Sequence, residues 1–255
     1  MPIRRRHRFL DVDFDMMTMD EVLGWLATRG ADDPFAFVVT PNVDHLVRLH
    51  SGKPEAGPLA KAYREAALCV CDSRVLRRLA AWRGVELTVV PGSDLTAALF
   101  RAETGLEGKV AVVGGNRRLL ETLRAQFPQL DFVQHIPPMG LAKNGAAIEE
   151  AARFVGEAGS RLSFLAVGSP QQELVAMRAA AMPGACGTAL CIGASLEFLS
   201  GDQRRAPAWM RRAGVEWLFR LLSEPKRMWR RYLVEGPKIF ALAWHWRGPN
   251  GQAEA

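Results

Sequence analysis

The chain has no run of about 18 apolar residues, the length that a membrane-spanning helix requires. Cysteine and histidine are also scarce, at 4 and 5 of 255 residues. The cysteines lack the short spacing and histidine partners of a zinc site, and no histidine pair has the spacing of a zinc hydrolase. The sequence therefore predicts neither a membrane-spanning nor a zinc protein, and we expect four buried thiols: Cys69, Cys71, Cys186 and Cys191.

The N-terminus is basic like the start of a signal peptide, but acidic residues follow at once. Asp11, Asp13 and Asp15 stand where a signal peptide needs an apolar segment, so we expect a cytoplasmic protein. The three aspartates also resemble the Asp-x-Asp signature of metal-dependent sugar transferases. In an alternating edge strand they would simply face solvent, and this is the interpretation that we favour.

Short apolar runs, each followed by a polar or glycine turn and then by helical periodicity, recur along the chain. This alternation predicts an α/β fold with a Rossmann-like, mostly parallel sheet flanked by helices. A capping box from Thr18 to Glu21 predicts a further helix near the N-terminus. The five apolar runs are residues 35–39, 68–71, 109–113, 163–167 and 189–192.

Polar residues and glycines follow these predicted strands. In open α/β sheets, ligands bind in the crevice outside the carboxyl ends of the strands. We therefore predict that the residues at these ends converge on one site, although the strand order is not known from the sequence. These residues are Thr40, Asn42, Asp72, Gly114, Gly115, Gly168, Gln172 and Glu173.

Asp72 directly follows the apolar run 68–71. A carboxylate at the end of a buried strand can be desolvated, which raises its pKa towards that of a useful general base. The commoner role for an aspartate here is to cap the helix that we predict from Arg74. Taken alone, the residues around Asp72 favour the cap.

Two glycine turns precede predicted helices. The turn at 114–116 could present N–H groups to a phosphate or be a plain tight turn; it is not the full dinucleotide fingerprint, and the Walker pattern is absent. In the segment 168–173, Pro170 suits the first turn of a helix, and Gln172 and Glu173 would lie where free N–H groups face a ligand. Ordinary helix initiation, with Glu173 favoured by the helix dipole, explains the same residues equally well.

Basic charge is concentrated near the C-terminus. Residues 204–238 contain ten Lys and Arg against three Glu, and five of the seven tryptophans lie there or just beyond. Basic amphipathic helices with tryptophan lie at membrane interfaces or bind partner grooves. Arg220, Arg227 and Arg230 would share one helix face if the helix continues through Pro225, and three guanidinium groups suit a diphosphate. Nucleic-acid binding by this segment is the alternative, against which the tryptophans argue.

This change in composition predicts the domain organisation. We expect an α/β catalytic domain over residues 1–203, a basic helical appendage over 204–247 that contacts membrane and diphosphate, and a disordered tail over 248–255.

Taken in order, these motifs resemble the WecG/TagA/CpsF glycosyltransferase family (glycosyltransferase family 26). The resemblance covers most of the chain, from Thr40-Pro41-Asn42 to Arg231-Tyr232. One departure is Asp72-Ser73, where the family often has Asp-Gly, and it leaves the identity of both sugars open. The motifs that carry the resemblance are Gly168-x-Pro170-x-Gln172-Glu173, Cys191-Ile192-Gly193, Gly201, Arg205-Ala206-Pro207, Glu216-Trp217-Leu218-Phe219-Arg220-Leu221 and Glu224-Pro225-x-Arg227.

The resemblance implies an inverting, metal-independent glycosyltransferase of cell-surface polysaccharide biosynthesis that needs no cofactor. Its donor would be a UDP-sugar, typically of the N-acetylmannosamine type, and its acceptor a sugar on undecaprenyl diphosphate. The protein would be peripheral on the inner face of the cytoplasmic membrane, without a nucleic-acid partner, and self-association stays open. A nucleotide-cofactor oxidoreductase on the same sheet is the alternative, but it lacks the glycine fingerprint.

The resemblance also implies roles for individual residues. Thr40, Asn42 and Asp72 would lie in the catalytic pocket, with Asp72 as the base, which reverses the preference for a cap. Gln172 would contact the donor, and Arg220, Arg227 and Arg230 would close over the pocket from the appendage. The other residues expected to bind substrate are Glu173, Gly114, Gly168, Gly193 and Arg205.

Overall fold

The main sheet of the computed structural model, which describes residues 5–101, 105–201 and 206–248, has six parallel strands. Their order across the sheet is β4-β3-β8-β7-β5-β6, and every neighbouring pair is parallel. The predicted Rossmann-like α/β fold is therefore confirmed. The strands are β3 (Ala36–Val39), β4 (Leu68–Cys69), β5 (Gly108–Gly114), β6 (Leu130–His135), β7 (Leu162–Ala166) and β8 (Thr188–Cys191), and a separate hairpin contains β1 (Arg6–Phe9) and β2 (Val12–Asp15).

Helices connect the strands and cover the sheet. The predicted capping box is present at the first of them, where the Thr18 hydroxyl accepts from the Glu21 N–H and the Glu21 carboxylate accepts from the Thr18 N–H. Up to residue 201 the helices are α1 (Met19–Ala27), α2 (Val43–Leu49), α3 (Ala56–Glu65), α4 (Arg74–Trp82), α5 (Gly92–Leu99), α6 (Arg117–Gln126), α7 (Gly145–Glu157), α8 (Gln171–Ala180) and α9 (Ser195–Leu199), with a 3₁₀ turn at Leu141–Lys143.

Alternate residues of each strand pack into two apolar cores, one on each face of the sheet. Cys69 and Cys71 share one core, whereas Leu68 and Val70 belong to the other, as expected for a strand that is covered on both faces. Burial raises the pKa of the Cys71 thiol to about 12. The prediction of buried thiols is confirmed for Cys69, Cys71 and Cys191, but it is wrong for Cys186, which is partly exposed.

The predicted solvent-facing position of Asp15 is also wrong. Leu10 and Asp11 both have left-handed backbone conformations, with φ of 48° and 61°, and form the turn between β1 and β2. Asp15 therefore ends a hairpin strand that packs on the main domain, and its side chain is buried. One carboxylate oxygen accepts from Arg6 Nε at 2.8 Å and the other from the Cys69 N–H at 2.8 Å.

Asp15→Ala is expected to lower the free energy of unfolding by about 2–3 kcal/mol, because it leaves the buried N–H of Cys69 without an acceptor. The matched variant Asp13→Ala removes a carboxylate that is 39% exposed and should cost less than about 0.5 kcal/mol. Chemical denaturation of both variants measures the difference. Equal losses would mean that the contacts of Asp15 contribute nothing beyond a surface ion pair.

The C-terminal segment forms five helical pieces rather than one long helix. The condition for Arg220, Arg227 and Arg230 to share one helix face, a helix that continues through Pro225, is not met, because α11 stops before Pro225 and α12 begins with it. Proline lacks the N–H that would continue the helix and instead favours the first helical position. The pieces are α10 (Ala208–Ala213), α11 (Glu216–Ser223), α12 (Pro225–Trp229), a π-helix (Arg230–Glu235) and α13 (Lys238–His245).

The last helix packs into the core of the α/β domain. Ile239 and Ala243 are buried in the same core as Phe9, and the rings of Phe9 and Trp246 meet edge-on with centroids 5.1 Å apart. Arg83 Nη2 donates to the carbonyl oxygen of Trp246 at 2.6 Å. The segment 204–247 is thus distinct in composition, but its last helix packs against the α/β domain.

Candidate active site

A cavity of about 880 Å³ opens at the carboxyl ends of four neighbouring strands. Thr40, Asp72, Gly168 and Gly193 follow β3, β4, β7 and β8 and line it from below. Side chains of α11, α12 and the π-helix line it from the other side. The predicted convergence at the strand ends therefore occurs, and the volume suits a nucleotide-sized ligand.

Gly114 is not among the described residues that line this cavity. It ends β5, which lies beyond β7 in the sheet. A methyl group added at Gly114 would lie 2.8 Å from a side-chain carbon of Val167 and 2.9 Å from the carbonyl oxygen of Ala166. This close approach of two strand ends fits the tight-turn alternative for Gly114.

Asp72 lies in the cavity and does not cap α4. The cap is Ser73, whose hydroxyl accepts from the Leu76 N–H at 3.1 Å. Asp72 Oδ2 instead accepts from the Gly92 N–H at 3.0 Å. Desolvation raises the pKa of Asp72 to about 7, although the hydrogen bond from Gly92 opposes the rise. A carboxyl group with this pKa can take up a proton near neutral pH.

Thr40 and Asp72 lie on the same side of Gly92. A methyl group added at Gly92 would be 3.0 Å from Thr40 Oγ1 and 3.4 Å from Asp72 Oδ2, so a larger residue would press on both. Thr40 Oγ1 donates to the carbonyl oxygen of Cys191 at 3.2 Å. The hydroxyl is thereby oriented between β3 and β8, with its oxygen lone pairs available to a ligand.

Two residues of α11 act on the pKa of Asp72. Glu216 raises it and Arg220 lowers it, and both line the cavity. Arg220 Nη2 lies 3.3 Å from Glu216 Oε1, and its guanidinium carbon lies 5.0 Å from the centre of the Phe198 ring. The appendage thus places a fixed pair of charges beside the carboxyl group of Asp72.

Glu216→Gln is expected to move the acid limb of the pH–rate profile to lower pH. As a general base, Asp72 would work only when ionised, so the rate of a reaction that needs this base would fall as the pH drops through its pKa of about 7. Removal of the negative charge of Glu216 lowers that pKa, so the loss then begins at a lower pH. The profile of the distant surface variant Glu150→Gln should stay unchanged; a limb that also stays in place in Glu216→Gln would contradict the interaction.

Asn42 and His45 form the start of α2 at the edge of the cavity. Asn42 Oδ1 accepts from the Asp44 N–H at 3.0 Å, and His45 Nδ1 accepts from the Asn42 N–H at 3.3 Å. The cap occupies the side-chain oxygen of Asn42 and leaves its amide nitrogen for a ligand. Desolvation lowers the pKa of His45 to about 3, so this ring is neutral at physiological pH.

Sequence reasoning missed a charged cluster that joins α2 to the π-helix. Asp44 Oδ2 lies 3.2 Å from Arg48 Nη2 and 3.3 Å from Arg231 Nη2, and all three residues line the cavity. Burial favours a higher pKa for Asp44, but the two guanidinium groups outweigh it, so the pKa is lowered. The spacing of Asp44 and Arg48 indicates a pair on one helix face; nothing in the sequence indicates Arg231 as their partner.

Gln172 and Glu173 turn inward from the start of α8 and are buried. Gln172 Oε1 accepts from the Gly193 N–H at 2.8 Å, and Gln172 Nε2 donates to Glu173 Oε1 at 2.9 Å. Gln172 lines the cavity. Glu173 does not line it but holds the side chain of Gln172 through their hydrogen bond. Desolvation raises the pKa of Glu173. Gly168 and Gly193 have left-handed backbones, with φ of 75° and 56°, which glycine adopts without strain.

The appendage arginines are divided between two places. Arg227 lines the cavity, and its Nη1 lies 2.8 Å from Glu224 Oε2. Arg230 instead lines a second cavity. Arg205 lies outside the described residues. The predicted residues that do meet in the active-site cavity are Thr40, Asn42, Asp72, Gly168, Gln172, Gly193, Arg220 and Arg227.

Two further properties of the described residues concern membranes and metal ions. None of the helices in the ranges 5–101, 105–201 and 206–248 combines the length and apolar character needed to cross a membrane. Within the same ranges, no three side chains among His, Cys, Asp and Glu are grouped as ligands for a metal ion.

A carboxyl group with a raised pKa at the floor and several guanidinium groups above it suit the transfer of a group from a phosphorylated donor. The model of the glycosyl transferase WecG/TagA/CpsF family matches residues 7–252. The chain belongs to this family. Membership makes it a glycosyltransferase of cell-surface polysaccharide biosynthesis. It also decides against the oxidoreductase alternative.

Proposed function

We propose that the protein transfers a sugar of the N-acetylmannosamine type, or a related one, from a UDP-sugar to a sugar on undecaprenyl diphosphate. The transfer inverts the anomeric configuration and needs no metal ion. The observation that carries this proposal is the position of Asp72, a carboxyl group with a pKa of about 7 in a cavity that Arg220 and Arg227 also line.

The chemical step is a single displacement. Asp72 takes the proton of an acceptor hydroxyl, and the oxygen attacks the anomeric carbon of the donor. The bond from that carbon to the UDP oxygen breaks, and its electron pair leaves with UDP. Because the attack comes from the face opposite the leaving group, the configuration inverts. A base with a pKa near the working pH is well suited to this proton transfer.

The leaving diphosphate needs positive charge as its own charge grows. Arg220 and Arg227 supply it from the appendage, and Arg48 and Arg231 add charge at the α2 edge of the same cavity. Guanidinium groups bind phosphate oxygens in pairs and can take the part that a metal ion has in other transferases. Gln172, held by Gly193 and Glu173, is oriented to contact the donor.

The lipid-linked acceptor suggests that the protein works at the inner face of the cytoplasmic membrane. The C-terminal helices expose large apolar side chains beside basic ones, which is typical of a protein that docks on a lipid surface. The most exposed are Trp209, Leu222, Trp229, Leu233, Val234, Phe240 and Trp244.

The proposal is tested by measuring UDP release from a panel of UDP-sugars with a polyprenyl-diphosphate amino sugar in detergent. We expect one donor to give release that requires the acceptor and that persists in chelator, with an inverted anomeric linkage in the product by NMR. Release that depends on added Mn²⁺, or retention of configuration, would contradict the proposed mechanism.

A further inference from the structure

A second cavity, of about 680 Å³, lies between the β1–β2 turn, the end of α2, the π-helix and α13. Among the described residues, none lines both cavities. Histidines and cations dominate the polar part of the second one. Its cationic side chains are Lys53, Arg230, Lys238 and Arg247, and its histidines are His50 and His245.

Positive charge exceeds negative charge in this cavity. Lys238 Nζ donates to Glu235 Oε2 at 2.6 Å, and the pKa of Glu235 is lowered by this contact and by the charges of Lys53 and Arg230. One carboxylate thus lies among three cations and can neutralise only one of them. Asp11, the other acidic residue of the lining, is 3.8 Å from Arg8 outside the cavity and 3.9 Å from His50 within it.

Apolar side chains lie beside this charge on α13. The side chains of α13 face several directions: Ile239 and Ala243 are buried, Lys238 and His245 line the second cavity, and Phe240 lines the active-site cavity. Trp244 is 66% exposed and stacks on the ring of Trp82, which is 55% exposed. An anion bound in the cavity would therefore lie next to a surface that favours lipid chains.

We propose that the second cavity binds the phosphate of an anionic phospholipid headgroup, with Lys53 and Arg230 as its main ligands. The acyl chains would then pass beside the exposed, stacked rings of Trp82 and Trp244. This inference rests on the proposed docking at the membrane and adds to it a defined lipid site, separate from the site of sugar transfer. A nucleic acid requires a continuous basic stripe. A compact anion site flanked by apolar residues instead fits a lipid.

The experiment measures binding of the full chain to phosphatidylcholine vesicles with and without phosphatidylglycerol. Lys53→Ala and Arg230→Ala should each weaken binding to the anionic vesicles by about fivefold or more, as expected for a cation beside an anionic lipid. The control Lys109→Ala removes one positive charge near the start of β5, from a residue that does not line the second cavity. It should have little effect, because distant charges are screened. Equal effects of all three variants would overturn the site.

Removal of the acidic neighbour gives a test in the opposite direction. Glu235→Gln removes repulsion of the anion and should strengthen binding to anionic vesicles, whereas Glu121→Gln, a surface control on α6, should not. A structural role for Lys53 and Arg230 alone would not produce a gain in Glu235→Gln. Failure of Glu235→Gln to tighten binding more than Glu121→Gln would contradict the proposal.

Inorganic phosphate separates the two possible sources of the ligand. We expect it to stabilise the wild type against heat, and to do so less in Lys53→Ala, but to bind more weakly than the vesicles. If phosphate binds through Lys53 and Arg230 but anionic vesicles bind without them, the proposal that a lipid occupies the cavity is wrong. If the wild type binds anionic and neutral vesicles equally, the lipid site fails while membrane docking stands.

Discussion

Asp72→Asn is expected to lower kcat for sugar transfer by about 10²–10⁴-fold, the usual contribution of a general base. The asparagine side chain keeps the size of the carboxyl group and can still accept the hydrogen bond from Gly92. It cannot accept the acceptor's proton. Initial rates at saturating donor and acceptor measure the loss, and the KM for the donor should change little.

The matched control for this variant is Asp94→Asn. Asp94 lines the same cavity and slightly raises the pKa of Asp72. It is not placed as a proton acceptor in the proposed step, so we expect its substitution to cost less than about tenfold in rate. Comparable losses in the two variants would indicate that any negative charge in the cavity matters, and that Asp72 has no special role.

Arg220→Ala is expected to lower kcat/KM by about 10²–10³-fold, because it removes a charge that would stabilise the leaving diphosphate. It should also raise the pKa of Asp72 and move the acid limb of the pH–rate profile to higher pH, since Arg220 lowers that pKa in the wild type. The two effects are separated by measuring the rate on the plateau above the limb.

Arg153→Ala is the control for the loss of an arginine, because Arg153 is exposed on α7. Arg220→Lys keeps the charge but loses the paired geometry of the guanidinium group and should be intermediate. A plateau rate for Arg220→Ala equal to that of the wild type would contradict its role at the diphosphate. The movement of the acid limb would then be its only effect.

The fold could be predicted because each strand is a short apolar run followed by a turn and a helical pattern. The start of α4 at Arg74 was predicted to the residue. β6 and α7 were missed. The alternation of β6 fades where Val133, Gln134 and His135 are only partly buried, so its apolar signal is weak.

Much of the candidate site could be predicted from one rule, that ligands bind where parallel strands end. The rule found Thr40, Asp72 and Gln172 without knowledge of the strand order. The rule also placed Gly114 in the site, which is wrong. The strand order, which the sequence does not give, puts β5 outside the four strands that border the cavity. The residues around Asp72 alone favoured a helix cap, and only the family resemblance reversed that preference; the structure places Ser73 in the cap position.

The contribution of the appendage depends on long-range packing that the sequence does not express. Proline at 225 was recognised as a possible break, but the direction of the chain after it was not. That direction places Arg231 on Asp44 and sends Arg230 to the other cavity. Arg230 and Arg231 are adjacent in the chain, but successive residues of a helix point in different directions, so the two side chains line different cavities.

The measurement that tests this account most directly is the pH dependence of kcat/KM for the acceptor in the wild type and in Asp72→Asn. The account predicts that the wild-type rate rises with a single ionisation near pH 7 and then levels off. The residual rate of Asp72→Asn should lack that ionisation. A wild-type profile without a limb near this pH, or the same limb in Asp72→Asn, would contradict Asp72 as the base.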